Sequence, residues 1–169
     1  LLIPDPTRCW VDPFVEDTTI CLIANVVDPI TKEGYGLDPR SVASRAESYL
    51  KFTGIADTIF VGPEAEFFLF DGVSFHNEQQ SAGYSIESDE GHWNSGRKGD
   101  EFNPNLGYQV KPKGGYVPVA PVDTSIDIRN TMSSLLGEVG IHVECHHHEV
   151  GTAGQCEIDF KYSHLLNTS

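Results

Sequence analysis

Residues 146–157 read HHHEVGTAGQCE, and no other stretch limits the possible folds so much. Two glycines flank a Thr-Ala pair between two segments of strand-like composition, the pattern of a hairpin closed by a tight turn. A turn centred on Ala153 sets Glu149 directly opposite Glu157, and strand alternation puts His147 on the same face. Like charges facing each other destabilise a sheet unless water or a positive charge relieves them. Three readings are open here: a histidine-rich hairpin with a surface charge pair, a zinc site of His and Glu, or a site for a harder divalent cation. Three consecutive histidines cannot all ligate one ion, so His146 and His148, facing away from His147, are expected to be structural hydrogen-bonders.

A second acidic pair lies upstream in GPEAEFFLFD. Two residues apart in a strand, Glu64 and Glu66 share a face, followed on it by Phe68 and Phe70. E-x-E also suits a plain solvated sheet face. Taken with the hairpin, however, a set of Glu64, Glu66, Glu149 and Glu157 with at most one or two imidazoles suits Mg²⁺ or Mn²⁺ better than zinc.

The global charge bears on what such a site could serve. Eleven basic against 25 acidic residues give a formal charge of −14. That field repels nucleic acid and anionic membrane, so neither is an expected partner, and an anionic substrate would need cations to mediate. No long apolar run and no basic-then-apolar start is present, so a cytoplasmic setting is expected. Cys9, Cys21, Cys145 and Cys156 show no CxxC spacing and are read as reduced thiols. The chain starts on Leu1 and stops at HLLNTS, which suggests part of something longer.

Local signals predict an α+β fold with a largely antiparallel sheet. CLIANVVDP (21–29) reads as a buried strand, with WVDPF before it in a loop. Asp38 caps a helix with Pro39 at its first position and Gly54 at its end, presenting Val42, Ala43, Ala46, Tyr49 and Leu50 on one face. Residues 57–71 read as strand, Gly-Pro interruption, strand. From Gly72 to about Tyr108 the composition predicts long surface loops with one short strand at 83–88, and ESDEG as a solvated acidic turn. A second helix is expected from about Thr124, with Ile128, Met132, Leu135, Leu136 and Val139 at helical spacing and Gly140 closing it.

GPEAEFFLFD, KGGYVPVAPVD and HHHEVGTAGQCE, in this order, resemble glutamine synthetase of the bacterial dodecameric class, in register from about residue 1 to 169. The resemblance implies an ATP-dependent ligase that phosphorylates the γ-carboxylate of glutamate and lets ammonia displace the phosphate. It implies two to three Mg²⁺ or Mn²⁺ ions per site. Glu66, Glu149 and Glu157 would ligate one ion, and Glu64 another whose remaining ligands lie beyond Ser169. Glu144 matches a nucleotide contact, Tyr116 a residue lining the ammonium pocket, and His147 a histidine close to the metals. Alternation puts Glu144 and Glu149 on opposite faces, which favours separate sites.

The resemblance also implies a homo-oligomer, a dodecamer, with active sites between subunits. Residues 1–29 would be the tail of a small N-terminal β-grasp domain, and 30–169 the first part of a half-barrel catalytic domain with flanking helices. The chain departs from the family at Gly151, where Ala is usual, at Val117, where Phe is usual, and at Cys156 beside Glu157. A ligase for another amine, or a catalytically silent relative, are the alternatives. With its flap and substrate-holding arginines absent, the 169-residue chain alone is expected to bind metal weakly, if at all, and not to turn over. Trp10 is expected in a core or an inter-subunit contact and Trp93 in a loop; His76, His92, His142 and His164 are assigned no role.

Overall fold

Asp38 starts the first helix as its sequence predicts: its carboxylate accepts from the backbone N–H of Ser41 at 2.9 Å and from the Ser41 hydroxyl at 2.8 Å. Gly54 ends that helix at φ 71°, a conformation that favours glycine. The computed structural model describes residues 1–101, 105, 107 and 109–168. The part of the Gly72–Tyr108 loop expectation that falls on Phe102, Asn103, Pro104, Leu106 and Tyr108 lies outside the described residues.

In chain order the elements are β1 (Leu2–Val11), β2 (Ile20–Val26), α1 (Pro39–Thr53), β3 (Phe60–Val61), β4 (Glu64–Phe68), β5 (Gly72–Glu78), β6 (Ser81–Glu87), α2 (Ile126–Glu138), β7 (Val143–His148), β8 (Gln155–Phe160), β9 (Ser163–His164) and α3 (Leu165–Thr168). A 3₁₀ turn at His92–Asn94 carries Trp93, which meets His92 edge-on. The pattern is α+β, and the strand pairs with a given register are all antiparallel. The chain forms two units: Leu1–Pro63 with Leu135–His142 and Phe160–Ser169, and Glu64–Ser134 with Val143–Asp159.

In the first unit β1 pairs with β2, and the ladder shifts between Pro4 and Cys9. Pro4 and Pro6 have no N–H to donate, which explains the irregularity. Trp10 and Val11 belong to β1, paired with Cys21 and Ile20, so the loop expected at WVDPF is corrected in its first two residues. Nor is β2 the buried strand its apolar run predicts: every residue in it is half-buried or exposed. Arg40 of α1 binds Asp5 at 3.0 Å and the Leu166 carbonyl at 3.1 Å, tying helix to hairpin and to α3.

The second unit contains a three-stranded sheet of order β4-β8-β7 and a separate hairpin of β5 and β6. Strand β6 bears out the short strand expected at 83–88, and the hairpin corrects the loop expected before it, since Gly72–Glu78 and Ser81–Glu87 pair in unbroken register around Gln79 and Gln80. Around helix α2 the predicted apolar positions Met132, Leu135, Leu136 and Val139 are half-buried as expected, and the departure is at Ile128. Arg129 is the helix's buried residue at 1% exposed, whereas Ile128 is 50% exposed. The helix closes as expected at Gly140 (φ 85°), where Ile141 N–H reaches the Leu136 carbonyl at 2.8 Å.

Much of the interior of this unit is polar. Buried beside Val110, Ala153, Cys156 and Ile158 are Glu90, Asp123, Arg129, His148, Glu149, Gln155 and Glu157. Burying so many polar groups is tolerable only when each is hydrogen-bonded or paired.

Candidate metal centre

Strand β4 presents Glu64 and Glu66 on one face because strand side chains alternate. Its partner β8 sets Glu64 against Asp159 and Glu66 against Glu157, while Ala65 and Phe67 meet Ile158 and Cys156 on the other face. The apolar pairs seat the sheet, and the acidic pairs are left facing one another.

The turn between β7 and β8 brings in the remaining groups. Glu149 N–H donates to the Gln155 carbonyl at 2.9 Å, so the turn centres one residue earlier than Ala153. Continuing the ladder brings His147, rather than Glu149, opposite Glu157. The slip moves the pairing by two positions and leaves facing unchanged, so all three still share a side. Gly154, at φ 76°, has no room for a side chain, since a Cβ would stand 2.2 Å from the Leu69 carbonyl oxygen.

Among the described residues two groups converge with ligand atoms within 4.8 Å of one another: His147, Glu149 and Glu157, and Glu64, Glu66 and Glu157. Glu157 belongs to both, and Glu64 stands with Glu66. His147 Nδ1–H donates to the His148 carbonyl at 3.1 Å, with Nε2 3.9 Å from Glu157. Tyr116, largely exposed, meets the His147 ring edge-on with centroids 5.4 Å apart. Glu144 is exposed on β7 and stands outside both groups.

The electrostatics follow from the crowding. A hydrogen bond with Glu149, burial and the neighbouring Asp159 push Glu157 up to about 8, so it keeps a proton at neutral pH. Glu149 moves the other way: burial raises it, but the proton donated by Glu157 and the Val150 backbone N–H lower it further. A hard divalent cation fits this donor set, since it would replace that proton and relieve the remaining repulsion.

His146 and His148 are the hydrogen-bonders the alternation predicts. His146 accepts from Arg129 Nε at Nδ1 and, as the neutral ring, donates from Nε2 to Asn130 at 3.0 Å. Burial and the Arg129 charge lower its pKa. His148 faces acceptors at both nitrogens, the Gly115 carbonyl at 2.8 Å and the Glu90 carboxylate at 2.9 Å, which makes it an imidazolium. Burial opposes that charge, but Glu90 outweighs it and raises the pKa.

Glu90 corrects the solvated turn expected at ESDEG. It is 6% exposed and accepts from His148, from the Thr124 N–H and hydroxyl, and from Gly154 N–H. Burial raises its pKa, yet these donors bring it down to about 2. Beside it Arg129 pairs with Asp123 and reaches Ser125. Neither Glu90 nor Arg129 stands out in sequence, since an acidic cluster and a helix cation ordinarily face water. The KGG segment has a clearer local signal: at Gly115 a Cβ would stand 2.7 Å from both the Glu149 carbonyl and the His148 ring.

Residues 36–169 match the family described as glutamine synthetase, catalytic domain. The chain belongs to the glutamine synthetase family. Across its whole length it is 50% identical over 169 residues to a glutamine synthetase of Frankia alni, covering 35% of that protein. A protein of Cupriavidus pinatubonensis named 3-hydroxylaminophenol mutase is 47% identical over 166 residues, with 98% of this chain and 35% of that protein covered. A cryo-EM structure of Plasmodium falciparum glutamine synthetase shares the fold at TM-score 0.81 and 26% identity, over 99% of this chain and 32% of that one. The chain thus spans about a third of the length of the curated glutamine synthetases it matches.

Proposed function

We propose that this chain forms part of an ATP-dependent ligase that joins ammonia to glutamate through a γ-glutamyl phosphate, giving glutamine. The observation that carries the reading is Glu157 shared between two acidic clusters, in a family named for that reaction. Glutamate and ATP are anions that such a site repels, and two to three bound Mg²⁺ or Mn²⁺ ions would reverse the local sign and neutralise phosphate oxygens during transfer. Glu66, Glu149 and Glu157 would hold one ion and Glu64 would serve another.

The remaining residues position. Tyr116 would line an ammonium pocket, where an aromatic face suits a cation, and a carboxylate nearby would accept the proton that ammonium must lose. His147, anchored through Nδ1, would present Nε2 beside the reacting groups, and Glu144 is open to a nucleotide. Intact Glu64, Glu66, Glu149, Glu157 and His147 argue against a silent relative.

Residues 1–29 are proposed as the tail of a small β-grasp domain and 30–169 as the start of the catalytic domain. Assembly into a homo-oligomer, a dodecamer with sites between subunits, is proposed from the resemblance; exposed apolar residues such as Phe14, Ile30, Leu37 and Phe52 leave surface for the rest of the protein or a neighbouring subunit to cover. A cytoplasmic setting is proposed with it; among the described residues no helix is long and apolar enough to cross a membrane.

The test is phosphate release with ATP, glutamate, ammonium and Mg²⁺, in a protein carrying this chain within the length of its relatives. Glu157→Gln is expected to lose metal affinity and rate together; full values of both would refute the assignment. The 169-residue chain by itself is expected to show no turnover.

A further inference from the structure

Gln155 opens β8 only 8% exposed, and both ends of its side-chain amide are engaged. Nε2–H donates to Glu66 Oε2 at 2.9 Å, and Oε1 accepts the Gly151 backbone N–H at 2.6 Å. Its main-chain carbonyl accepts the Glu149 N–H at 2.9 Å. One residue therefore holds a carboxylate on β4 and the backbone of another acidic residue in the turn.

A primary amide suits both contacts, because flipping it would set oxygen against carboxylate and NH₂ against N–H. In this chain Gly151, standing where Ala is usual in the family, leaves room for the amide as it is placed: a Cβ there would stand 2.1 Å from Gln155 Oε1 and 3.1 Å from its Cδ. Glu66 is itself exposed and would otherwise sample several rotamers. With one oxygen tied to a buried amide, its rotation stops and the other oxygen is left for an ion.

We propose that Gln155, seated by Gly151, is a positioning residue that aims Glu66 at the cation it would share with Glu157. The proposal rests on the metal-centre reading above. Mn²⁺ binding to a protein carrying this chain within the length of its relatives, followed by the EPR signal of free Mn²⁺ up to millimolar concentrations, separates the two. Binding is expected from the unaltered full-length protein. Gln155→Met should weaken it about 10-fold, the low end of what losing a ligand's hydrogen-bond partner does. Gly151→Ala, which touches no side-chain donor, should weaken it about 3- to 10-fold by displacing the amide. The double variant should bind no more weakly than Gln155→Met, because both changes cut one link.

Effects that multiply in the double variant would mean independent, merely structural damage and would overturn the proposal. So would unchanged affinity in both single variants. Should Gln155→Met fail to fold, Gly151→Ala alone decides, and an unaltered Kd there sinks it. No uptake by the unaltered full-length protein would remove the metal centre and this proposal with it; uptake insensitive to Gln155 would remove the proposal alone.

Discussion

Two antiparallel hairpins of similar length sit in the second unit, and they are built on opposite terms. In β5–β6 the cross-strand apolar pairs Val73 with Ile86 and Phe75 with Tyr84 line one face, yet Phe75 is 81% and Tyr84 80% exposed. In β7–β8, His148, Cys156 and Ile158 are almost wholly buried. The backbone pairing is alike, and what differs is the third party: β4 covers one edge of β8, while Arg129 and Glu90 reach the turn and the histidines. A hairpin holds reactive groups in place when polar partners brace it, and an apolar face alone does not ensure cover.

The sharpest way to break this contrast is to remove a brace. Arg129→Met strands a buried Asp123 carboxylate and should cost about 3–5 kcal/mol in urea unfolding. A loss under about 1 kcal/mol would mean that the pair does not support the unit.

Glu90→Gln comes next, at about 1.5–3 kcal/mol, since it removes a charged hydrogen-bond acceptor. Its pH signature has two limbs. Glu90, lowered to about 2, contributes stability above the ordinary carboxylate range, lost as pH falls through about 2. His148, raised, contributes below the ordinary imidazole range, and that part is lost as pH rises through its folded pKa. Unfolding midpoints measured against pH should show a plateau between the limbs, and both should flatten in the variant.

Metal addition has a smaller effect. Mn²⁺ at ten times its Kd should stabilise the chain by about 1.4 kcal/mol. Because Glu157 holds a proton up to about pH 8, binding at pH 7 should release it, so calorimetry in two buffers of different ionisation enthalpy should give different heats. Identical heats would mean that no proton leaves.

Phe75→Ser should matter least, shifting stability by about 0.5 kcal/mol and leaving Mn²⁺ affinity unchanged.

The same contrast explains what was legible in the sequence. Helix α1 could be read because its cap, proline and terminal glycine are local, and β7–β8 because Gly151 and Gly154 bracket its turn. Hairpin β5–β6 escaped notice since Gln79 and Gln80 carry no turn preference, although Val73, Phe75, Tyr84 and Ile86 alternate as strand residues should. The acidic groups of the site were visible as alternating positions, with the facing right and the opposition of Glu149 and Glu157 off by two positions. Glu90 and Arg129 were invisible, for their burial depends on partners distant in sequence.

The strand order β4-β8-β7 has a consequence in time. Strands β7 and β8 adjoin in sequence and can pair on their own, but the Gln155 to Glu66 contact joins residues 89 apart. Closing so long a loop costs entropy before any contact rewards it, and contacts of that kind slow folding. When the chain grows from its amino end, Glu64 and Glu66 emerge long before any partner strand exists. The acidic cluster is thus among the last things to assemble, and the repulsion between its members need not be met until the rest of the sheet is ready to receive them.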